Sequence, residues 1–317
     1  MNVPSLFVPA LALGLHLAAS APASPGLTIV APDSWSTELS DFVAHRSKTI
    51  RTELLTLESV LAPSPDASSL ARSQTDEAER LKRALFEAWR DRGTRYVLLV
   101  GDADVMPIRY MTLDRVTAAA FDVAFYPSDL YYADLVDGEG AFETWNGERE
   151  GFHAGYFGEV RGEKNKDDVI NFDRVHYLPE LAVGRWPVST LEQLRVVIQK
   201  TIAHDAQRAE EDRAEATKPS FSFIAVDGWV DMRARMERWA KACERRFSVE
   251  RRYFADAAHD YGVPAPTAES VLELLGERGG VVVHAGHGSD QRWEKCLDRS
   301  ALTRLDNRHR LPVCISA

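Results

Sequence analysis

Two short stretches of the chain are apolar without alternation, and they restrict the fold more than any other feature. Residues 96–100 read YVLLV and residues 281–283 read VVV, and glycine follows each within three residues. A strand exposed on one face alternates apolar and polar side chains, so an unbroken apolar run indicates a parallel strand that is covered on both faces. Amphipathic helical patterns precede both stretches. This alternation predicts an α/β fold with doubly wound parallel sheets.

The helix–strand alternation occurs in two series, which predicts two subdomains. The first series occupies residues 27–205, a charge-dense linker is expected over residues 206–219, and the second series fills residues 220–317. Within the first, residues 122–173 are rich in tyrosine, glycine and acids, which favours a long excursion with little regular structure.

Capping signals predict where several helices begin and end. Acids in the first turn and Gly93 after the last turn predict a helix over residues 76–92. Ser189 and Glu192 have the spacing of a capping box, so Ser189 is expected to cap the helix that follows.

The charge balance bears on possible partners. The sequence has 38 basic and 48 acidic residues, which gives a formal net charge of −10. No lysine- or arginine-rich run offsets this charge, which argues against a general nucleic-acid-binding protein.

The first residues have the features of an export signal. Residues 1–23 combine an apolar stretch with small residues in an A-x-A pattern, which predicts a secretory signal peptide. The protein is therefore expected to be secreted or periplasmic. No later segment is long and apolar enough to span a bilayer.

The three cysteines, Cys243, Cys296 and Cys314, lie at unrelated spacings. Such a set fits neither a disulfide framework nor a zinc site. Cys243 lies on the apolar face of a helical pattern and Cys314 lies within a predicted strand, so both are expected to pack in the core.

Candidate chemistry follows two of the predicted strands, because sites in open parallel sheets form beyond the carboxyl ends of the strands. Asp227 comes after the strand FIAV, and His287 comes after VVV in a turn between Gly286 and Gly288. The glycines let the backbone approach a ligand and leave the Gly288 N–H free to donate. His284 continues the strand, which favours a structural role. No nearby Glu or Cys completes a metal-ligand set with the two histidines.

Several segments together carry a family resemblance. HAGHGSDQRW, followed by LTRLDNRHRLPVCISA, resembles the catalytic segment of the gingipain-type cysteine peptidases, family C25, which have a caspase-like fold. YVLLVGDADVMP, YPSDLYYADL and PELAVGRWPVSTLEQL are similar to the N-terminal subdomain of that family, and FIAVDG to the strand that opens its caspase-like subdomain. The resemblance implies that the second subdomain is caspase-like and C-terminally incomplete, and that the substrates are proteins or peptides.

The resemblance also assigns roles to individual residues. It implies that His287 is the catalytic histidine, that Asp227 orients it, and that the Gly288 N–H donates to the oxyanion. The nucleophilic cysteine of the family is expected just beyond Ala317, so the chain ending at Ala317 is expected to be inactive by itself. In this chemistry the imidazole raises the thiolate fraction and later protonates the leaving amine.

Substrate-binding roles are expected for Trp293 and Asp231. Asp231 would line a pocket for a basic side chain, although an exposed acid at a helix N-terminus is the alternative.

No cofactor is required for this chemistry, but the acid-rich excursion is a candidate site for structural calcium. The candidate ligands are Asp134 and Asp137, with Asp129, Glu139 and Glu148 nearby in sequence. These residues lack the regular spacing of an EF-hand loop, so a solvated acidic loop is the alternative.

Two other functions stay open at this point. One is a non-catalytic binding or structural module on the same fold. The other is a protein-sorting transpeptidase that uses the same thiol chemistry, with an amine in place of water as the final acceptor.

Overall fold

The computed structural model divides into two compact units, Met1–Ser189 and Thr190–Ala317. The predicted signal peptide, residues 1–23, lies outside the described part of the chain. The residues that the structure describes are 24–62, 76–112, 125–144, 157–158, 178–214, 218–228, 230–257, 259–278, 280–308 and 310–316.

The first unit is built around a four-stranded parallel sheet. Its strands are β1 (Gly26–Ala31), β2 (Arg51–Thr56), β3 (Thr94–Val100), β4 (Tyr110–Thr112), β5 (Phe125–Pro127), β6 (Phe157–Gly158) and β7 (Ala182–Trp186). Its helices are α1 (Ser36–Ser47), α2 (Leu57–Leu61), α3 (Glu77–Arg92) and α4 (Leu130–Ala133). The parallel sheet has the order β2-β1-β3-β7, and β5 and β6 from the predicted excursion pair with β4 in a small sheet of order β5-β4-β6.

Most of the sequence pattern around β3 is confirmed, although Tyr96 near its start is 48% exposed. This strand lies between β1 and β7, and Val97, Leu99 and Val100 are buried in it. The preceding helix α3 begins after Asp76, whose carboxylate accepts the N–H of Glu79 at 2.9 Å. It ends at Gly93, which has a φ of 70° in the left-handed region that glycine adopts at little cost.

The second unit contains the other parallel sheet. Its helices are α5 (Leu191–Ala214), α6 (Arg233–Cys243) and α7 (Ala268–Glu273), which continues into a π-helical turn (Leu274–Arg278). Its strands are β8 (Ser220–Ala225), β9 (Ser248–Tyr253), β10 (Val281–Ala285), β11 (Arg292–Trp293), β12 (Leu297–Asp298) and β13 (Val313–Ser316). The main sheet has the order β13-β10-β8-β9, and all of its pairs are parallel.

The helix α5 differs from the sequence predictions at both of its ends. The hydroxyl of Ser189 donates to Asp104 at 3.0 Å, and Thr190 accepts the N–H of Gln193 at 3.2 Å instead. The prediction that Ser189 caps α5 is therefore wrong by one residue. Thr190 is the cap, and the Ser189 hydroxyl contacts Asp104.

At its other end, α5 runs through much of the expected linker at residues 206–219. The division between the units falls before this helix. The residues of the charge-dense stretch are mostly Ala, Glu, Arg and Gln, which are good helix formers. Although α5 has 24 residues, no helix in the described part of the chain is long and apolar enough to cross a membrane.

The unalternating valines of β10 are explained by burial on both faces. Val282 belongs to an apolar cluster with Val271 and Leu275, whereas Val283 belongs to a second cluster with Met236 and Tyr253. Neighbouring side chains of a strand point to opposite faces, so each valine packs into a different layer.

The prediction that Cys314 packs in the core is wrong. β13 is the edge of its sheet among the described strands, and Cys314 is exposed. Its neighbours Val313 and Ile315 are 44% and 50% exposed. An apolar strand is buried only where other elements cover it. Among the described strands β13 pairs with β10 alone, and this pairing leaves its side chains exposed.

The start of β10 requires glycine. Gly280 has a φ of 74°, and a Cβ built on it would lie 2.1 Å from the carbonyl oxygen of Ser220. We expect Gly280→Ala to lower the free energy of unfolding by about 3 kcal/mol or more, because both backbone strain and a backbone clash oppose it. Chemical denaturation of the two proteins measures this difference.

Gly276 provides the matched control for this substitution. A Cβ at Gly276 would meet only the end of the Leu305 side chain, at 3.5 Å, which is ordinary contact. Gly276→Ala should change stability by less than about 1 kcal/mol. Equal losses in the two variants would contradict the assignment of strain to Gly280.

Candidate active site

The carboxyl ends of β8 and β10 are joined and lie at the same edge of the sheet. The N–H of Val226, just after β8, donates to the carbonyl of Ala285 at the end of β10, at 3.0 Å. Asp227 and the turn that carries His287 therefore leave the sheet side by side, as the sequence predicted for a site of this fold class.

Gly286 determines the direction of the turn that carries His287. It has a φ of 153°, and a Cβ at this position would lie 1.9 Å from Cγ2 of Val226. The resulting path brings the imidazole of His287 beside Gly228. A Cβ on Gly228 would lie 3.5 Å from Cδ2 and 3.6 Å from Nε2 of His287. The ring is half-buried, in contact with the residue that follows Asp227.

Gly288 forms an isolated antiparallel bridge with Trp293. The hydrogen bonds that flank this bridge are donated by Ser289 and Glu294, each at 2.9 Å. A residue between two such bonds directs its own N–H out of the hairpin. The Gly288 amide thus points away from the bridge and is exposed, as a donor to a reacting oxygen must be.

Asp227 is near His287 but is paired with another residue. Its Oδ2 accepts from Nζ of Lys295 at 2.7 Å, and among the described contacts it has no hydrogen bond to His287. The two paired side chains are 59% and 56% exposed, so the pair contributes at most about 1 kcal/mol. Lys295, with a φ of 61°, was missed at the sequence level because no motif marks it.

Asp231 lies in an ion-pair network around Arg233. Both of its carboxylate oxygens accept from this guanidinium, at 3.0 and 2.9 Å. Arg233 is 1% exposed, contacts Asp256 at 2.6 Å, and lies over the ring of Phe254. The side-chain hydrogen bonds from Arg233 hold the pKa of Asp231 below its ordinary value. Both carboxylate oxygens of Asp231 are therefore already engaged by a cation, which Asp256 shares.

His284 has the structural environment that was expected for it. It is fully buried, and its ring stacks on Trp293 with centroids 4.4 Å apart and planes 1° apart. Its Nδ1 lies 3.0 Å from Oγ of Ser316, in the neighbouring strand β13. Burial lowers the pKa of His284 to about 4, so the ring is neutral at pH 7. Trp293, expected to bind substrate, packs here against β10.

Cys296 and Cys314 both have pKa values raised by desolvation, which makes them poor nucleophiles. Cys296 is buried, its Sγ lies 3.8 Å from the carbonyl of Trp293, and burial raises its pKa to about 11. Desolvation also raises the pKa of Cys314. A raised pKa lowers the thiolate fraction and hence the nucleophilicity at neutral pH.

The acidic residues proposed for calcium are engaged within the first unit. Asp134 is buried, and Asp137 accepts the N–H groups of Glu139 and Ala141, each at 2.9 Å. Asp129 accepts two bonds from Arg185. In the described ranges, no group of three His, Cys, Asp or Glu side chains is arranged to hold a metal ion.

Glu148, the remaining acid of this group, lies outside the described residues. Calcium binding by the excursion therefore stays a prediction.

The geometry defines the class of the protein. It is an α/β protein with two doubly wound parallel sheets, and its candidate site lies at the carboxyl edge of the second. The chain belongs to peptidase family C25, since the model of this family matches residues 20–317. No curated protein matches the chain, and no solved structure does. The doubly wound architecture is consistent with a caspase-like fold, and the family supports cysteine-peptidase activity on protein substrates.

The buried ring of His284 predicts a loss of stability in acid. An unfolded histidine has a pKa near 6.5, whereas that of folded His284 is about 4. As the pH falls from 6.5 toward 4, the unfolded chain binds a proton that the folded protein does not, so stability present above pH 6.5 is lost. Between about pH 7 and about pH 5, the loss assigned to His284 is about 2 kcal/mol.

The comparison that checks this value is urea denaturation of the wild type and of His284→Phe at both pH values. Phenylalanine retains a ring to stack on Trp293 but does not titrate. The free energy of unfolding of the wild type should fall more steeply with acid. An identical pH dependence in both proteins would show that His284 is not the group responsible.

Thiol alkylation tests the assignment of the cysteines. With iodoacetamide near neutral pH, Cys296 should react about a hundredfold more slowly than a cysteine in a short peptide, since its raised pKa leaves little thiolate. Cys314 should also lag behind the peptide although it is exposed. Mass spectrometry of tryptic fragments locates the label, and the same reaction in urea provides the control. Labelling of folded Cys296 at the peptide rate would contradict the assignment.

Proposed function

We propose that this protein is a cysteine-type endopeptidase of the gingipain class, in which His287 is paired with a nucleophilic cysteine located just after Ala317. The single observation that best supports this proposal is the position of the His287 turn at the carboxyl edge of the sheet, next to β13. Family C25 membership and the raised pKa of Cys296 agree with a nucleophile other than the described thiols.

The strand register supports the expected position of the nucleophile. β13 runs parallel to β10, with Val281 opposite Val313 and His284 opposite Ser316. A chain that continues past β13 would leave the sheet level with the turn after β10. Parallel strands present the residues that follow them at one common edge. A thiol on the next residues would therefore lie at the same carboxyl edge of the sheet as His287.

The proposed reaction proceeds in two stages. In the first stage, an imidazole nitrogen of His287 accepts the thiol proton, and the thiolate sulfur attacks the peptide carbonyl carbon. The carbonyl oxygen becomes an oxyanion, to which the Gly288 N–H donates; one such donor lowers the barrier by about 3 kcal/mol. The imidazolium then protonates the leaving amine. Water, deprotonated by the same imidazole, attacks the thioester and releases the carboxylic acid and the thiol.

Asp227 is proposed to orient His287 during this cycle. In the structure its carboxylate is held by Lys295, but an exposed ion pair is weak and exchanges readily with solvent. A carboxylate on the residue before Gly228 can turn toward the ring that packs on Gly228. It would then hold one ring nitrogen and fix the tautomer.

Export is part of the proposal. Residues 1–23 would direct the protein to a secreted or periplasmic location, where peptide and protein substrates are met.

The test uses the protein extended through the residues encoded after Ala317. We expect it to hydrolyse peptides and to be blocked by thiol-directed peptide inhibitors, and we expect His287→Ala to lower kcat by about 10²–10⁴-fold through loss of the acid–base group. His204→Ala, a histidine on α5, should retain wild-type rates.

Two outcomes would change the assignment. Inhibitor labelling that is equally fast in the His287→Ala protein would contradict the proposed pair, and a residue other than cysteine after β13 would favour a non-catalytic module. Product analysis with an added amine nucleophile separates hydrolysis from transpeptidation, because a transpeptidase would yield the amide.

A further inference from the structure

A cavity of about 560 Å³ lies within the second unit, beside the hairpin that follows His287. Trp293, the bridge partner of Gly288, and Ser289, the residue after Gly288, both line it. Its volume falls in the range of about 300–1,000 Å³ that is usual for ligand sites. No sequence motif marks this cavity.

Leucines form most of the apolar wall of the cavity. Besides Trp293, the wall includes Leu297, Leu302, Leu305 and Leu311. Leu297 is buried and Leu302 is 43% exposed, so the wall extends from the core to the surface. Such a surface recovers about 25 cal/mol for each Å² of apolar ligand area that it removes from water.

Three cations line the same cavity. They are Lys200, Arg292 and Arg299, which come from α5, from β11 and from the 3₁₀ helix Arg299–Arg304. None of the three has a carboxylate partner among the described ion pairs. Asp290 is the one acid of the lining, and it accepts from Gln291 at 2.9 Å.

The two acids expected to act in the site are each paired with a cation. Asp227 is paired with Lys295, and Asp231 is paired with Arg233. The lining of the cavity has three cations and one acid, so its net charge is positive beside an apolar wall. This arrangement does not suit the basic substrate side chain that Asp231 was expected to bind, because a buried or crowded cation needs an acid that is not already matched.

We propose that this cavity is a substrate subsite for a bulky apolar side chain within an acidic peptide segment. The apolar side chain packs against the leucines and Trp293, and carboxylates on either side of it pair with Arg292, Arg299 and Lys200. The net charge of −10 repels such a peptide at long range, so recognition is local and weakens with salt. The inference gives a substrate class to the proposed peptidase, but binding itself needs no cleavage.

The probes are three fluorescein-labelled pentapeptides: Glu-Glu-Leu-Glu-Glu, Lys-Lys-Leu-Lys-Lys and Glu-Glu-Gly-Glu-Glu. Fluorescence anisotropy with the chain ending at Ala317 measures their binding without any hydrolysis. The acidic leucine peptide should bind about tenfold more tightly than either of the others, because only it satisfies both the wall and the cations. Its affinity should fall as salt is added.

Charge reversal tests the cations. The double variant Arg292→Glu with Arg299→Glu should lose about tenfold in affinity for the acidic leucine peptide. The double variant Arg235→Glu with Arg238→Glu, two exposed arginines on α6 that do not line the cavity, makes the matched control and should bind as the wild type does. An equal loss in this control would show that only the overall charge matters and would overturn the proposal.

A second pair of variants tests the apolar wall without changing any charge. Leu302→Ser should weaken the acidic leucine peptide about tenfold toward the affinity of the glycine peptide. Val196→Ser, which is 50% exposed on α5 and lies outside the lining, should not. Circular dichroism establishes that each variant is folded. Preference for the lysine peptide, or no effect of Leu302→Ser in a folded protein, would refute the subsite.

The failure of this inference can be told apart from a failure of the proposed function. Binding that follows these expectations, in a protein whose extended form hydrolyses nothing, leaves the subsite in place and refutes the peptidase. Hydrolysis that favours basic peptides would support the peptidase and refute the subsite.

Discussion

The contact between the backbone at Gly286 and the side chain of Val226 is the constraint on which the site depends. A Cβ on Gly286 would lie 1.9 Å from Cγ2 of Val226, and the Val226 N–H donates to the carbonyl of Ala285. The ends of β8 and β10 are therefore packed against each other, and the chain after β10 passes beside Gly228. The position of the His287 turn therefore depends on the backbone geometry at the ends of two neighbouring strands.

A neutral histidine connects this turn to the neighbouring strand. His284 is stacked on Trp293 and lies within hydrogen-bond distance of Ser316, so one ring contacts β10, β11 and β13. A charged ring could not be buried here without a carboxylate, and burial instead keeps the ring neutral. The aromatic stack contributes about 0.5–1.5 kcal/mol beyond burial, and it holds the hairpin that carries Gly288 against the sheet.

The sequence was informative where burial leaves a local pattern and uninformative where partners come from far along the chain. The valines of β10 revealed a doubly covered strand because each face buries a different one. Cys314 has similarly apolar neighbours in the sequence, but the burial of an edge strand depends on which other elements pack against it. Ser189 and Thr190 are adjacent and both can cap a helix, and their letters do not distinguish them. In the fold, Thr190 caps α5 and Ser189 contacts Asp104, 85 residues away.

The same distinction separates chemistry from specificity in this protein. The glycines around His287 are visible in four consecutive letters, and the turn requires glycine at Gly286, where a Cβ would clash with Val226. Which charges stay unmatched is decided only by folding: Asp227 meets Lys295 across 68 residues, and the cavity draws its cations from residues 200 to 299. If the cavity is the proposed subsite, substrate preference depends on charges that remain unpaired, and these follow from tertiary contacts and not from the motif.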